Sequence, residues 1–227
     1  MDKNKIFIVI AAYNEEKSIA DVIKSLRNEN YHNIVVVDDG SKDKTYEICR
    51  KEKVHALRHA INRGQGAALK TGIDYAVMKG AEIIVTFDAD GQHRADEIKR
   101  LTAPIENGEV DVVLGSRFLD KKTKVPFFKK LTLKGGIIFT RIFSGIKLTD
   151  THNGFRAFSR SAAQRIEIRQ DRFEHASEII DEIARKKIKF REVPVTIIYS
   201  KYAKAKGQSI FNSFKIALKL MIGKIAR

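Results

Sequence analysis

The chain of 227 residues is long enough for one well-buried α/β domain and short for two. Hydrophobic residues at 43% and charged residues at 31% exclude a disordered chain and describe a soluble globular one. Cys49 stands alone, which excludes an intrachain disulfide and a cysteine metal cluster and suits a reducing, cytosolic compartment.

The longest apolar stretch, Ile6 to Tyr13, falls far below the ~20 residues of a membrane-spanning helix. It also lies too near the N-terminus, with too short a basic lead, for a signal peptide. The formal net charge of +15 is concentrated in two places. Lys121, Lys122, Lys124, Lys129, Lys130, Lys134, Arg141 and Lys147 form an acid-free stretch, and Lys201, Lys204, Lys206, Lys215, Lys219, Lys224 and Arg227 form another. Together they hold the whole formal excess, so the rest of the chain is neutral. Two basic patches on a neutral body point to a localised anionic partner: nucleic acid, phosphate groups or an anionic membrane surface. A generally basic, solvated surface is the plainer alternative.

In chain order, the apolar run Ile6 to Ile10 predicts a strand and the pattern from about Glu15 to Asn28 a helix. Ile34 to Val37 is a strand, Asp43 to Lys51 a helix, Val54 to Leu57 a short strand and Gly66 to Met78 a helix. Glu82 to Phe87 forms a strand, Asp96 to Glu106 a helix and Val110 to Leu114 a strand. Val125 to Phe143 reads as one or two amphipathic helices broken at Gly135-Gly136. A helix from Glu174 to Lys186 and a strand from Phe190 to Tyr199 follow. In the tail, Phe211, Phe214, Leu218, Met221 and Ile225 share one helical stripe, with Lys215 and Lys219 on another face. Continuous β-branched runs separated by helices are the mark of a parallel sheet covered on both faces. In such sheets ligands bind outside the carboxyl ends of the strands. Three strands here end in polar clusters, Tyr13-Asn14-Glu15, Asp38-Asp39-Gly40-Ser41 and Asp88-Ala89-Asp90, and parallel strands would bring all three to one edge.

Asp88 and Asp90 follow a buried strand, where carboxylates are costly unless a cation neutralises them. Mg²⁺ or Mn²⁺ bound by one or two carboxylates and by diphosphate oxygens meets that need, with an amide oxygen from Gln92, and His93 if the metal is Mn²⁺. A pair of solvated turn acids is the alternative. A calcium loop is excluded, because His93 stands where Gly is required and Lys99 where Glu is required. Gly64-Gln65-Gly66 lacks the third glycine of a dinucleotide loop and reads as a tight helix start whose amides could face a phosphate. Asp38 and Asp39 are either turn residues or acceptors for a nucleobase and ribose. Arg117 is either a phosphate fork or a surface ion-pair partner.

Ala11-Ala12-Tyr13-Asn14-Glu15, Val37-Asp38-Asp39-Gly40-Ser41-Lys42-Asp43, Asn62-Arg63-Gly64-Gln65-Gly66-Ala67 and Asp88-Ala89-Asp90-Gly91-Gln92-His93 together resemble the family 2 glycosyltransferases. Gly115-Ser116-Arg117-Phe118, Asn153-Gly154-Phe155-Arg156 and Glu192-Val193-Pro194-Val195 extend the likeness. They direct it to the branch similar to dolichol-phosphate mannose synthase and bacterial polyprenyl-phosphate glycosyltransferases. The resemblance covers roughly residues 5 to 210 and implies a GT-A fold: a Rossmann-like, mostly parallel sheet flanked by helices. With no internal repeat, low-complexity tract or clear linker, residues 1–207 read as a single domain, and the tail pattern makes residues 208–227 a basic amphipathic C-terminal helix.

The resemblance also implies an inverting single displacement. The nucleotide-sugar would lie on Ala12, Tyr13, Glu15, Asp39, Gly66, Asp88 and Asp90, and the metal on Asp88, Asp90 and Gln92. Asp90 and Arg117 would be catalytic, Arg117, Lys129 and Lys134 would hold an acceptor phosphate, and Lys204 and Lys206 would neutralise the diphosphate. Three departures stand out. Ala11 replaces the usual proline, no tryptophan is present, and the membrane helices that many relatives append are missing.

A phosphate acceptor is already anionic and needs no general base, which leaves positioning and charge neutralisation as the catalytic work. A sugar hydroxyl acceptor would need one, and Asp150, Glu174 and His175 are the candidates. The basic stretches suit a protein peripheral to the cytoplasmic face of a membrane, bound to anionic lipid or to a small membrane protein. A nucleic-acid-binding module would show aromatics interleaved with basic residues or a helix-turn-helix, and neither is visible. A nucleotidyltransferase shares the metal logic but releases pyrophosphate.

Overall fold

The computed structural model describes residues 2–120 and 145–199, together with residues 123, 133, 135, 137 and 141. Lys129, Lys134, Lys204, Lys206 and the expected C-terminal helix lie outside the described residues. Of the stretch from Val125 to Phe143, the described residues Leu133, Gly135, Ile137 and Arg141 are each helical.

Seven strands form one sheet: β1 (Ile6–Ala12), β2 (Ile34–Asp38), β3 (His55–Arg58), β4 (Ile83–Asp88), β5 (Val112–Ser116), β6 (Arg156–Ser159) and β7 (Phe190–Pro194). Their order is β3-β2-β1-β4-β6-β5-β7, and every pairing is parallel except the two made by β6. Among the described residues the bounded α-helices that cover it are α1 (Ile19–Asn28), α2 (Thr45–Lys51), α3 (Gln65–Met78), α4 (Ile98–Glu106), α5 (Arg160–Arg165) and α6 (His175–Arg185).

The alternation of side chains along a strand explains why the runs are apolar throughout. Ile6, Ile8 and Ile10 of β1 face one core with Ile34 and Val36 of β2, and there α1 adds Ile19, Ile23 and Leu26 and α4 adds Ile98 and Leu101. Phe7 and Val9 face the opposite core with Val35 and Val37, where α3, α5 and α6 contribute Ala68, Ile73, Ala162, Ile179 and Ile183. Helix α3 packs close because Gly72 has no side chain: a Cβ there would lie 2.4 Å from Val9 Cγ1.

Four elements differ from the sequence expectations, each for a local reason; helix α5, absent from those expectations, is a short helix capped by Ser159 Oγ, which accepts the Ala162 amide at 3.1 Å. Helix α1 begins at Ile19 and not near Glu15, because the Asn14, Glu15 and Glu16 amides donate to Ser41 Oγ, Thr45 Oγ1 and Asp43 Oδ2 instead of entering a helix. Strand β7 ends at Pro194, after which Thr196 N donates to Glu97, Ile197 N to Thr123 Oγ1 and Ile198 N to Gln92 O. Strand β6 was not anticipated at all. It is four residues long and begins with a buried arginine, so it carries no apolar run.

Candidate active site

The chain builds β1, β2 and β3 outward in one direction and then returns to place β4 on the other side of β1. That makes the β1/β4 boundary a topological switch point, where a crevice opens at the carboxyl ends of the strands. The register puts Ala11 beside Asp88 and Ala12 beside Asp38, so the three polar clusters do share one rim.

At the β1/β2 end the clusters are laced together. Asn14, in a left-handed conformation at φ 54°, donates its amide to Ser41 Oγ at 2.9 Å and accepts Lys42 N at 2.9 Å. Ser18 Oγ donates to Glu15 Oε2 at 2.8 Å, and Tyr13 projects from the rim with 40% of its surface exposed. Asp38 is buried and holds Ser41 N on Oδ1 at 3.2 Å and Arg58 Nε at 3.1 Å from Oδ2. Asp39 accepts Arg63 N at 3.0 Å, Gly64 N at 2.6 Å and the His59 ring at 2.7 Å, while the other His59 nitrogen meets Thr71 Oγ1 at 3.0 Å. The Asp39 carboxylate thereby fixes the segment that leads into α3.

The glycines of that segment have a packing reason. A Cβ at Gly64 would lie 2.4 Å from Asp171 O, and one at Gly66 would lie 2.0 Å from Gln170 O. The Ala67 amide donates to Asp171 O at 3.0 Å. The start of α3 thus faces residues 170–172, where Gly66 allows close backbone approach.

At β4 the two acids sit in unequal surroundings. Asp88 Oδ2 lies 2.9 Å from His93 Nε2, and Gln65 Nε2 donates to Oδ1 at 3.4 Å. Burial pushes the Asp88 carboxyl up, but His93, with His175 and Arg117, outweighs that and holds it below the usual range. Asp90 is pushed up by burial and by the charge of Asp88, although Gln92 donates to it from its amide nitrogen and from its backbone at 3.1 Å. His93, considered from sequence as a metal donor, is buried, stacked on Phe155 at 4.7 Å and edge-on to Phe87 at 5.4 Å. It steadies Asp88 from behind. No three His, Cys, Asp or Glu side chains among the described residues form a closed metal cage. Two hard oxygen donors, one of them pressed by burial and by the other's charge, do fit Mg²⁺ or Mn²⁺, which take few protein carboxylates and complete their shell with water and phosphate.

Across the rim Arg117, just past β5, is buried and paired with buried Asp150. Its Nε and its backbone amide donate to Asp150 Oδ2 at 2.6 and 3.1 Å, and Nη1 donates to Tyr199 Oη at 3.2 Å. Burial opposes the charge on Arg117, but Asp150 keeps it fully protonated. Asp150, a candidate base in sequence, is the counterion of this arginine. His175 donates Nδ1–H to Arg172 O at 2.7 Å, and burial, aided by Arg156, pushes it down to about 4. An imidazole that weakly basic is ill suited to deprotonate a hydroxyl near neutral pH. Glu174, the third candidate, is buried just before α6. Sequence reasoning missed the roles of Glu192 and Arg156, both inside quoted motifs, because their partners lie in loop 149–154.

The family model described as glycosyl transferase family 2 matches residues 7–167. The chain belongs to that family. This glycosyltransferase is 42% identical to an uncharacterized protein of Methanocaldococcus jannaschii over 99% of its own length and 94% of the other. It is 38% identical to a UDP-N-acetylglucosamine–dolichyl-phosphate N-acetylglucosaminyltransferase of Methanococcus voltae, over 98% and 97% of the two chains. It is 32% identical to a dolichol-phosphate mannosyltransferase of Pyrococcus furiosus, over 96% of this chain and 64% of that one. Among solved structures, glucosyl-3-phosphoglycerate synthase of Mycobacterium tuberculosis, crystallised with Mn²⁺ and UDP-glucose, superposes with a TM-score of 0.72 at 18% identity, covering 96% of this chain and 76% of that one. That likeness shows the GT-A type of fold.

Proposed function

We propose that this glycosyltransferase moves a sugar, with inversion, from a nucleotide-sugar to a polyprenyl phosphate. The observation that carries the reading is the Asp88/Asp90 pair at the switch point, where burial and the charge of Asp88 press on Asp90, with a buried and fully charged Arg117 across the rim. The Methanococcus voltae relative, alike over nearly the whole of both chains, is named for a dolichyl-phosphate acceptor and supports a lipid phosphate here.

Asp88, Asp90 and Gln92 would hold Mg²⁺ or Mn²⁺, which when bound supplies positive charge to the departing nucleoside diphosphate. Ala12, Tyr13 and Glu15 line the end where the nucleoside would rest, and Asp39 shapes that end by fixing residues 59–64. Arg117 orients the acceptor phosphate as a fixed cation; on the family resemblance alone, Lys129 and Lys134 are assigned to the same phosphate and Lys204 and Lys206 to the diphosphate. The acceptor oxygen is already anionic, so no proton need be removed, in keeping with the engagement of Asp150 and the low basicity of His175. Transfer to a sugar hydroxyl would ask those same groups for a base.

A lipid acceptor places the work at a membrane surface. No helix among the described residues is long and apolar enough to cross a bilayer, and the two basic stretches supply charge for an anionic leaflet or a small membrane partner. A position on the cytoplasmic face follows from this reading.

The test is a panel of UDP-N-acetylglucosamine, UDP-glucose and GDP-mannose with Mn²⁺ or Mg²⁺ and a polyprenyl phosphate. One donor should yield glycolipid and nucleoside diphosphate, and Asp90→Ala should abolish the yield. Pyrophosphate release, or no glycolipid from any donor, would count against the proposal.

A further inference from the structure

Loop 149–154 is gripped at both ends by charges for which the reading above has no use. At its start, partly buried Glu192 of β7 accepts Thr149 N at 2.9 Å on both oxygens, Thr149 Oγ1 at 2.9 Å and Asp150 N at 3.1 Å. At its end, buried Arg156 of β6 donates Nε to Asn153 O at 3.0 Å and Nη2 to Thr151 O at 3.3 Å. The same Nη2 reaches Ala176 O of α6 at 3.2 Å, and Nη1 has no hydrogen-bond partner among the described residues. An anion thus holds the loop's amides and a cation holds its carbonyls.

Charged groups in a sheet are costly to desolvate, and apolar residues at these two positions would build β6 and β7 with less penalty. What the charges secure lies between them. Asp150 takes Arg117 N and Nε on one oxygen. Gly154 lies flat against the metal-side acid, for a Cβ there would be 2.8 Å from Asp88 Oδ1, and its carbonyl accepts Thr86 Oγ1 at 2.6 Å. One short ribbon therefore touches both halves of the site.

We propose that Glu192 and Arg156 are positioning residues for the transfer, setting loop 149–154 so that Asp150 aims Arg117 and Gly154 seats Asp88. The proposal rests on the roles given above to Arg117 and Asp88. Neither residue touches substrate; each acts through the loop.

The test compares full-length Glu192→Gln and Arg156→Lys with two controls anchored away from the loop. Arg160→Ala loses an Nη1 bond to Ala81 O at 3.1 Å, and Glu182→Gln alters an acceptor of Glu167 N at 3.3 Å. Glu192→Gln replaces one acceptor oxygen by a donor, and Arg156→Lys keeps the charge without the planar fork. Both are expected to lower kcat/KM for polyprenyl phosphate on the order of ten- to a hundredfold, with the donor KM within about twofold of wild type. The controls should lose stability in urea yet keep wild-type kinetics.

A second readout is the ¹⁵N-resolved Arg117 Nε–H resonance, held by Asp150 in the wild type and expected to shift and exchange faster in both loop variants. Wild-type kinetics together with an unshifted resonance would overturn the positioning claim and leave the assigned reaction standing. A wild-type protein that glycosylates no polyprenyl phosphate would remove the assigned reaction instead. The Arg117 resonance then decides alone: displaced in both variants it supports the positioning claim, unmoved in both it refutes it.

Discussion

Replacing His175 with Gln separates two roles that a histidine beside an acidic site could play. The imidazole donates Nδ1–H to Arg172 O, and burial, with the Arg156 charge added, pushes its pKa down to about 4. In the unfolded chain the same ring titrates near 6.5. Below that value the unfolded state takes up a proton that the folded state refuses, so stability is intact above about pH 6.5 and is lost as the pH falls toward 4. The gap corresponds to about 3 kcal/mol when fully developed and about 2 kcal/mol near pH 5. Urea unfolding in EDTA, run from neutral to acidic pH on wild type and His175→Gln, reads this directly. The Gln amide can still donate to Arg172 O but does not titrate, so the variant should gain about 2 kcal/mol on the wild type between about pH 7 and 5. Parallel stability curves would refute the reasoning. Turnover of the same variant should stay within about tenfold of wild type, whereas removal of a general base costs on the order of a hundred- to ten-thousandfold.

Three further substitutions probe the packing around the rim. Gly154→Ala pushes a methyl into the Asp88 carboxylate, which can swing away, so stability should change by less than about 1 kcal/mol while metal-dependent turnover falls at least about tenfold; equal turnover would show that Asp88 does not rely on that backbone contact. Asp150→Asn strands the buried Arg117 charge and should cost about 3–5 kcal/mol in urea unfolding, with activity reduced even where the protein is folded. A loss of only a few tenths would mean that the pair is effectively solvated. Gly66→Ala meets the backbone at Gln170 O and should cost about 2–3 kcal/mol, and an unchanged urea midpoint would contradict the packing of α3 on residues 170–172.

The rim was legible because its logic is local. Ile6 to Ile10, Ile34 to Val37 and, apart from Thr86, Ile83 to Phe87 are apolar on both faces, as a covered parallel sheet requires, and the acids after them are then forced to one edge. The other wall of the site was not legible, because it is made by contacts far apart in sequence. Arg117 meets Asp150 thirty-three residues on, and Glu192 reaches back forty-three to Thr149. Asp39 shows the limit in another way. An acid at a strand end looks available for a ligand, and only the fold reveals that Arg63, Gly64 and His59 all converge on it. A buried Arg156 in a four-residue strand likewise reads as a loop until the carbonyls around it are known.

Calorimetric titration of a nucleoside diphosphate into wild type and Asp90→Ala, each with Mn²⁺ and with EDTA, bears most directly on the acid pair. Binding by the wild type only when the cation is present, and by the variant in neither condition, is the expected outcome. Equal affinity in EDTA, or an unimpaired variant, would contradict a site built on Asp88 and Asp90 bridging a cation to a diphosphate.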